Sequence, residues 1–401
     1  MRKNEVDKTI TPISGGVLAV EGFKINVLST GIKESGEEDF AIIYSENRIP
    51  AGCVFSNSAI QGAGVRVSKN NFKKGYLQAV ITHSGIVYPS DENGEAMAKS
   101  VCTSTAMKLR IERNQTVVAC TGKIGEKLPV EKLLQNVKPL LAGLTDDVKK
   151  IPVLSRALNT TDKSDKAQAY TFKLGDYTCK IGVACKGSYH VCPNLSTTLC
   201  FLTCDVNISP EMLQKAITSA VNDTFNVLNI DGVSSPNDMV CILSNGKAGN
   251  AKIENADLEY KKFTYALTEV LWRVCKSIAK DNLGNKKLLI CNTAGAKSKS
   301  TAKTIAKTLV GAVAVRKMFA QKRIDLETLI YSIASANEKI NLTECKIHIK
   351  TKKDRYVLFE DGKTICLSPS ICDSIFDENE ISLDVEIGGG NYHARAMGIT
   401  L

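Results

Sequence analysis

Between Gly15 and Val67 the chain alternates short apolar runs with turn signals, and that alternation excludes an all-helical fold. VLAVEGFKINVLSTGI, DFAIIYSEN and AGCVFSNSAI have period-two or continuous apolar character and are separated by SGEE and ENRIPAG. Such runs predict antiparallel strands. YLQAVITHSG continues the pattern and ends at Ser84-Gly85. A helix follows over ENGEAMAKSVCTSTAMKLRI, with Met97, Val101 and Met107 on one stripe. Val117 to Cys120 reads as a buried strand that stops at Thr121-Gly122, and Val130 to Leu144 as a short helix. Tyr170 to Ala184 predicts a hairpin turning at Gly175-Asp176, and Thr198 to Val206 another strand. Ser209-Pro210 opens a helix, since Ser caps and Pro suits the first helical position. The longest helix spans Leu258 to Lys280. Beyond Asp281 the order becomes strand, helix (STAKTIAKTLVGAVAVRKMFA), helix and then further strands. The expected class is α+β, with layered sheets flanked by helices over residues 1–280 and a smaller α+β domain over 281–401.

At 401 residues the chain is long for one core, which agrees with two domains. Its start is polar and lacks the apolar region of a secretory signal, and no apolar run reaches the roughly 20 residues that span a bilayer. A cytoplasmic protein is expected. The 14 cysteines are scattered without a C-x-x-C pair, which suits reduced thiols. His190 with Cys192 is the only near approach to metal-ligand spacing, so no metal is expected. The net charge of +10 concentrates between Asn282 and Ile324, a tract without Asp or Glu. There Lys299, Lys303 and Lys307 share a helical face, which is either an anion-attracting surface or a solvated one. With 6% aromatics and no module pattern, nucleic-acid binding is not expected.

The chemistry points to Lys186 to Asp205, KGSYHVCPNLSTTLCFLTCD. A turn of small residues running straight into a buried strand holds a hydroxyl nucleophile at the edge of a rigid sheet, although an ordinary loop-to-strand junction has the same composition. Thr121 and Gly122 at a strand end are a candidate oxyanion donor pair, or simply a turn. Asp231 and Asp238 are read as loop-shaping residues bonded to nearby N–H groups.

Six segments, in order, resemble the ornithine acetyltransferase / glutamate N-acetyltransferase family of arginine biosynthesis. They are GFKINVLSTGIKESGEEDFAII, AGCVFSNSA, CTGKIGEKLP, ALNTTDK, KGSYHVCPNLSTTL and DGVSSPNDMV. The resemblance implies a precursor that cuts its own backbone between Ser196 and Thr197. The freed Thr197 then carries the acyl group, with its α-amine as base. It further implies Thr121 (hydroxyl) and Gly122 (N–H) as oxyanion donors, and Lys186 with Thr160 or Thr161 as substrate-binding residues. The implied reaction is ping-pong acetyl transfer from N-acetylornithine to glutamate. Small amino-acid substrates are the expected partners, no metal or redox cofactor is implied, and acetyl-CoA serves some members as donor. The cleaved fragments are expected to assemble as an α2β2 heterotetramer.

The chain also departs from the family pattern. Leu283, in DNLG, stands where the family carries a glutamate, and a leucine neither pairs with an ammonium nor transfers a proton. His83 replaces an asparagine, Tyr189 and His190 replace a Gly-Met pair, and the family's C-terminal substrate-binding Asn and Thr are expected to have no match up to Leu401. Two further readings therefore stand beside the first. One is a paralogue with the same threonine nucleophile acting as acyltransferase or amidase on another amino-acid-like substrate. The other is an uncleaved, inactive scaffold.

Overall fold

The structure is a computed structural model and describes residues 10–188 and 198–401. These divide into two compact units, one of residues 10–188, 198–222 and 233–274, the other of residues 223–232 and 275–401.

The first unit contains β1 (Thr11–Ile13), β2 (Phe23–Leu28), β3 (Phe40–Phe55), β4 (Tyr76–Ile86), β5 (Thr116–Lys123), β6 (Lys166–Leu174), β7 (Tyr177–Lys186) and β8 (Leu199–Cys204). It also contains β10 (Met239–Ser244), whereas β9 (Leu228–Asn229) belongs to the second unit. The sheet order is β1-β6-β7-β8-β10-β3-β4-β5, with β2 on β3. β3 joins two halves of this arrangement. Its first part pairs with β2 and β4, and its last residues pair with β10. ENRIPAG was expected to break the strand, yet β3 runs through it. A register shift between Tyr44 and Ile49 absorbs the exposed residues 46–48, as a bulge does.

Both faces of the β2–β5 half are buried, which explains its near-continuous apolar runs. Ala41, Ile43, Val80, Val117 and Ala119 face a core shared with Cys53, Ala184, Leu199, Phe201, Met239 and Cys241 of the other half. Ile42, Ile81, Val118 and Cys120 face the opposite way, into a second core with Val67, Val101 and Leu133 from the helices Ala63–Asn71, Glu92–Leu109 and Val130–Ala142. One residue of offset thus sends each side chain to a different core. In Glu92–Leu109 the buried stripe is Ala98, Val101, Cys102, Thr105 and Ala106, while the expected Met107 is exposed. The hairpin turns at Gly175-Asp176 as expected, and Ser209 Oγ accepts the Met212 N–H at the start of Pro210–Asn222.

The second unit holds a sheet in the order β14-β13-β12-β15-β11-β16-β9, from β11 (Leu288–Ala296), β12 (Lys346–Lys350), β13 (Arg355–Glu360), β14 (Lys363–Thr364), β15 (Glu380–Glu386) and β16 (Tyr392–Ile399). The single helix expected after β11 is two, Lys299–Gly311 and Val313–Ala320, because Gly311 ends the first and Ala312 is extended. A further helix, Pro369–Asp377, was not anticipated, although Ser368 caps it ahead of a first-turn proline. On Lys299–Gly311 the ammonium groups of Lys299 and Lys303 lie 2.5 and 2.9 Å from the two oxygens of Asp223. Those two charges are therefore committed within the unit. Burial raises the Asp223 carboxyl, but the two lysines outweigh it and hold the group below its usual range.

Candidate active site

The expected oxyanion pair sits where β4 and β5 run side by side. Ser84 is level with Thr121 and Gly85 with Gly122, and β5 continues through both to Lys123 rather than stopping at them. Gly122 has φ +138, and a Cβ there would lie 2.1 Å from the Gly85 carbonyl oxygen. Only glycine allows this approach. Thr121 is buried, and its hydroxyl makes no hydrogen bond to another described residue. The neighbouring Cys120 is a poor nucleophile, because burial pushes its thiol up to about 12.

The second contribution comes from the ends of three adjacent strands. Leu199, at the start of β8, is level with Lys186 at the end of β7 and with Met239 at the start of β10. The loop before β10 is fixed from several sides. Ser56 donates its hydroxyl to the Ser235 carbonyl at 2.7 Å, and Gly62 N–H donates to the Pro236 carbonyl at 3.0 Å. Asp238 closes the loop, with Oδ1 accepting the Thr198 N–H at 2.6 Å. This does more than shape a local loop, since the aspartate reaches across to the residue that follows Thr197. Its side chain is buried, and Oδ2 has no hydrogen-bond partner among the described residues. Burial raises this carboxyl well above the carboxylate range, against the opposing pull of the Thr198 N–H and Lys186.

Beside these strand ends lies a buried charge cluster that the sequence reading did not single out. Asp162 Oδ1 accepts from Lys166 Nζ and from the Gly187 N–H, both at 2.8 Å. Lys186 Nζ stands farther off, 3.8 Å from Asp162 Oδ2. The side chains of Lys166 and Asp162 are fully buried and that of Lys186 is 1% exposed. Lys186 makes no hydrogen bond to a described residue, an unusual state for an ammonium with three donors. Burial lowers its pKa, and the charges of Asp162 and Asp238 work in the opposite direction. Thr160 and Thr161 are exposed, with Thr160 N–H 3.5 Å from Asp162 Oδ2 and the Thr161 carbonyl accepting from Ser188 Oγ at 3.3 Å. Asp162 and Lys166 lie within and just after the ALNTTDK segment. The alternation of Asp and Lys there was the signal available in sequence.

A cavity of about 400 Å³ joins the strand ends, lined by Cys120, Thr121, Gly122, Ile124, Leu199 and the loop 233–238. Residues from three of the six motif segments therefore face one space. Ser196, Thr197, His190 and Cys192 lie outside the described residues. Among the described residues no group of His, Cys, Asp and Glu could hold a metal ion. His83, one of the departures from the family pattern, is buried with Nε2–H donating to the Ile86 carbonyl at 3.0 Å, and burial lowers its pKa to about 4. It is neutral at physiological pH. Leu283 lies in the second unit, half-buried in the turn after the long helix, where its carbonyl accepts the Lys286 N–H.

Residues 24–401 match the ArgJ family. The chain belongs to the ArgJ family. The arginine biosynthesis bifunctional protein ArgJ of Staphylococcus epidermidis is 31% identical over 392 residues, which is 97% of this chain and 96% of that one. The protein of the same name from Bacillus subtilis is 30% identical, covering 98% of this chain and 95% of its own. Among solved structures, ornithine acetyltransferase of Mycobacterium tuberculosis complexed with ornithine is 27% identical over 45% of this chain and 96% of its own, with a TM-score of 0.41. Members of the ArgJ family are acetyltransferases of arginine biosynthesis, so the expectation of a transferase in that pathway stands with the membership. The family match takes in both units of the structure. No helix among the described residues is long and apolar enough to cross a membrane.

Proposed function

We propose that the protein transfers an acetyl group from N-acetylornithine to glutamate through an ester on Thr197, which self-cleavage between Ser196 and Thr197 first frees. The observation that carries this reading is that Thr121 and Gly122 share one cavity with Leu199, two residues past the proposed nucleophile. In the first half-reaction the Thr197 hydroxyl attacks the acetyl carbonyl while the α-amine, with a reference pKa of about 7.7–8.0, takes its proton. The Thr121 hydroxyl and Gly122 N–H stabilise the oxyanion, and collapse expels ornithine with the proton it needs. In the second half the amine of glutamate attacks the ester and regenerates the threonine. Lys186 holds a substrate carboxylate, as its buried ammonium without a hydrogen bond to a described residue suits it to do, and Thr160 or Thr161 contributes to binding the substrate. The reaction needs no metal or redox cofactor, and acetyl-CoA is an alternative donor. We place the enzyme in the cytoplasm as a heterotetramer of two cleaved pairs.

Intact mass under denaturing conditions should give fragments of residues 1–196 and 197–401, and Thr197→Ala should abolish both the cut and acetyl exchange between N-acetylornithine and glutamate. A Thr197→Ala protein that still turns over removes the assignment. A second reading keeps the nucleophile and changes the amine. It is favoured by Leu283 in place of the family's glutamate and by a cavity whose only ionisable side chains among the described residues are Cys120 and Asp238. A cleaved protein that forms the acetyl ester but passes nothing to glutamate selects this second reading.

A further inference from the structure

The three buried charges around Asp162 are unequally shared, and the inequality has a consequence for the substrate. Asp162 is the acceptor for two ammonium groups, but only Lys166 is at hydrogen-bond distance, at 2.8 Å, whereas Lys186 remains 3.8 Å away. The Gly187 N–H takes a further share of Oδ1. Lys166 lies on β6 and Lys186 on β7, with Lys166 level with Cys185 in the ladder, so the two lysines belong to neighbouring strands. Were Lys166 absent, Lys186 would be the one cation left within 4 Å of the buried carboxylate among the described residues. A buried carboxylate without a cation is costly, so the Lys186 side chain would close the gap and form a contact pair. An ammonium engaged in that way has little left for an incoming anion.

We infer that Lys166 is a positioning residue that occupies Asp162 and thereby keeps the Lys186 ammonium available for a substrate carboxylate. The inference rests on the proposed role of Lys186 and adds to it the group that determines its affinity. Lys166 itself does not touch substrate in this account. It acts by deciding which of two cations the carboxylate holds.

The test compares Lys166→Met, Lys166→Arg, Lys186→Met and the double variant Lys166→Met/Asp162→Asn in the cleaved enzyme, measuring KM and kcat for glutamate from the acetyl ester. In the double variant the asparagine oxygen still accepts the Gly187 N–H, but no carboxylate remains to capture Lys186. Lys166→Met should raise KM by about tenfold or more with kcat within about threefold, the size expected for loss of a charge-assisted contact. Lys166→Arg should stay near the parent value, and the double variant should return to it. An unchanged KM in Lys166→Met, while Lys186→Met raises it, overturns the inference and leaves the function intact. An unchanged KM in Lys186→Met instead removes the carboxylate role of Lys186, on which the inference rests. If Lys166→Met fails to fold, the double variant decides alone. A KM near the parent value supports release of Asp162 as the mechanism, and a tenfold rise shows that Lys166 acts directly and overturns it.

Discussion

Lys186 in the first unit and Arg316 in the second are both buried cations, 1% and 7% exposed, and the protein treats them in opposite ways. Arg316 donates through Nε to the Ile399 carbonyl at 2.8 Å and through a terminal NH2 to the Ile230 carbonyl at 2.7 Å. It ties the end of β16 to the segment after β9 through two of its five N–H donors. Lys186 has no hydrogen bond to a described residue and a carboxylate only at 3.8 Å. Burial lowers the pKa of both groups. A buried cation that bonds two carbonyls joins parts of the scaffold, whereas one held back from its neighbours is the kind of group the proposed carboxylate site needs.

The contrast is open to test through stability, taking the largest effect first. Arg316→Met should cost about 4 kcal/mol in urea unfolding, because two buried carbonyls lose charged donors. A cost under about 1 kcal/mol would show that the fork is dispensable and erase the distinction. His83 offers an intermediate case, a buried base engaged by a single carbonyl. Its folded pKa of about 4 lies below the unfolded value near 6.5, so only the unfolded chain takes up the proton between those values. Stability from this group is complete above about pH 6.5 and is lost as pH falls toward 4, by on the order of 3 kcal/mol. His83→Asn should flatten that acid slope in unfolding curves taken from pH 7 to 4. A slope that persists unchanged would mean that the ring is protonated in the folded protein. Lys186→Met should have the smallest effect on stability, under about 1 kcal/mol, since Lys166 still neutralises Asp162. A loss as large as that of Arg316→Met would make Lys186 a structural residue.

Much of the first unit was legible because local rules and tertiary demands agree there. The Gly175-Asp176 turn, the Ser209 cap and the long helix from Leu258 needed only periodicity and capping chemistry. The misreadings fall where a partner decides. ENRIPAG has turn composition, yet β4 and β10 each pair with part of β3 and carry it through. Met107 has the spacing of a core residue, but small side chains form the buried face of its helix. In the site, Thr121 and Gly122 were visible as a candidate donor pair at a strand end, the need for glycine at 122 came only from the approach of the Gly85 carbonyl, and Asp162 and Lys166 carried no mark of burial.

The amino-acid sequence by itself determined the α+β class and the order of the motif segments, because strand period, turn chemistry and motif spacing are local properties. The tertiary structure alone decided that Asp238 reaches the Thr198 N–H and that Asp162 holds Lys166 more closely than Lys186. The energy of a charge depends on what surrounds it, and here those surroundings come from residues far apart in the chain, as Thr198 and Asp238 are by 40 positions.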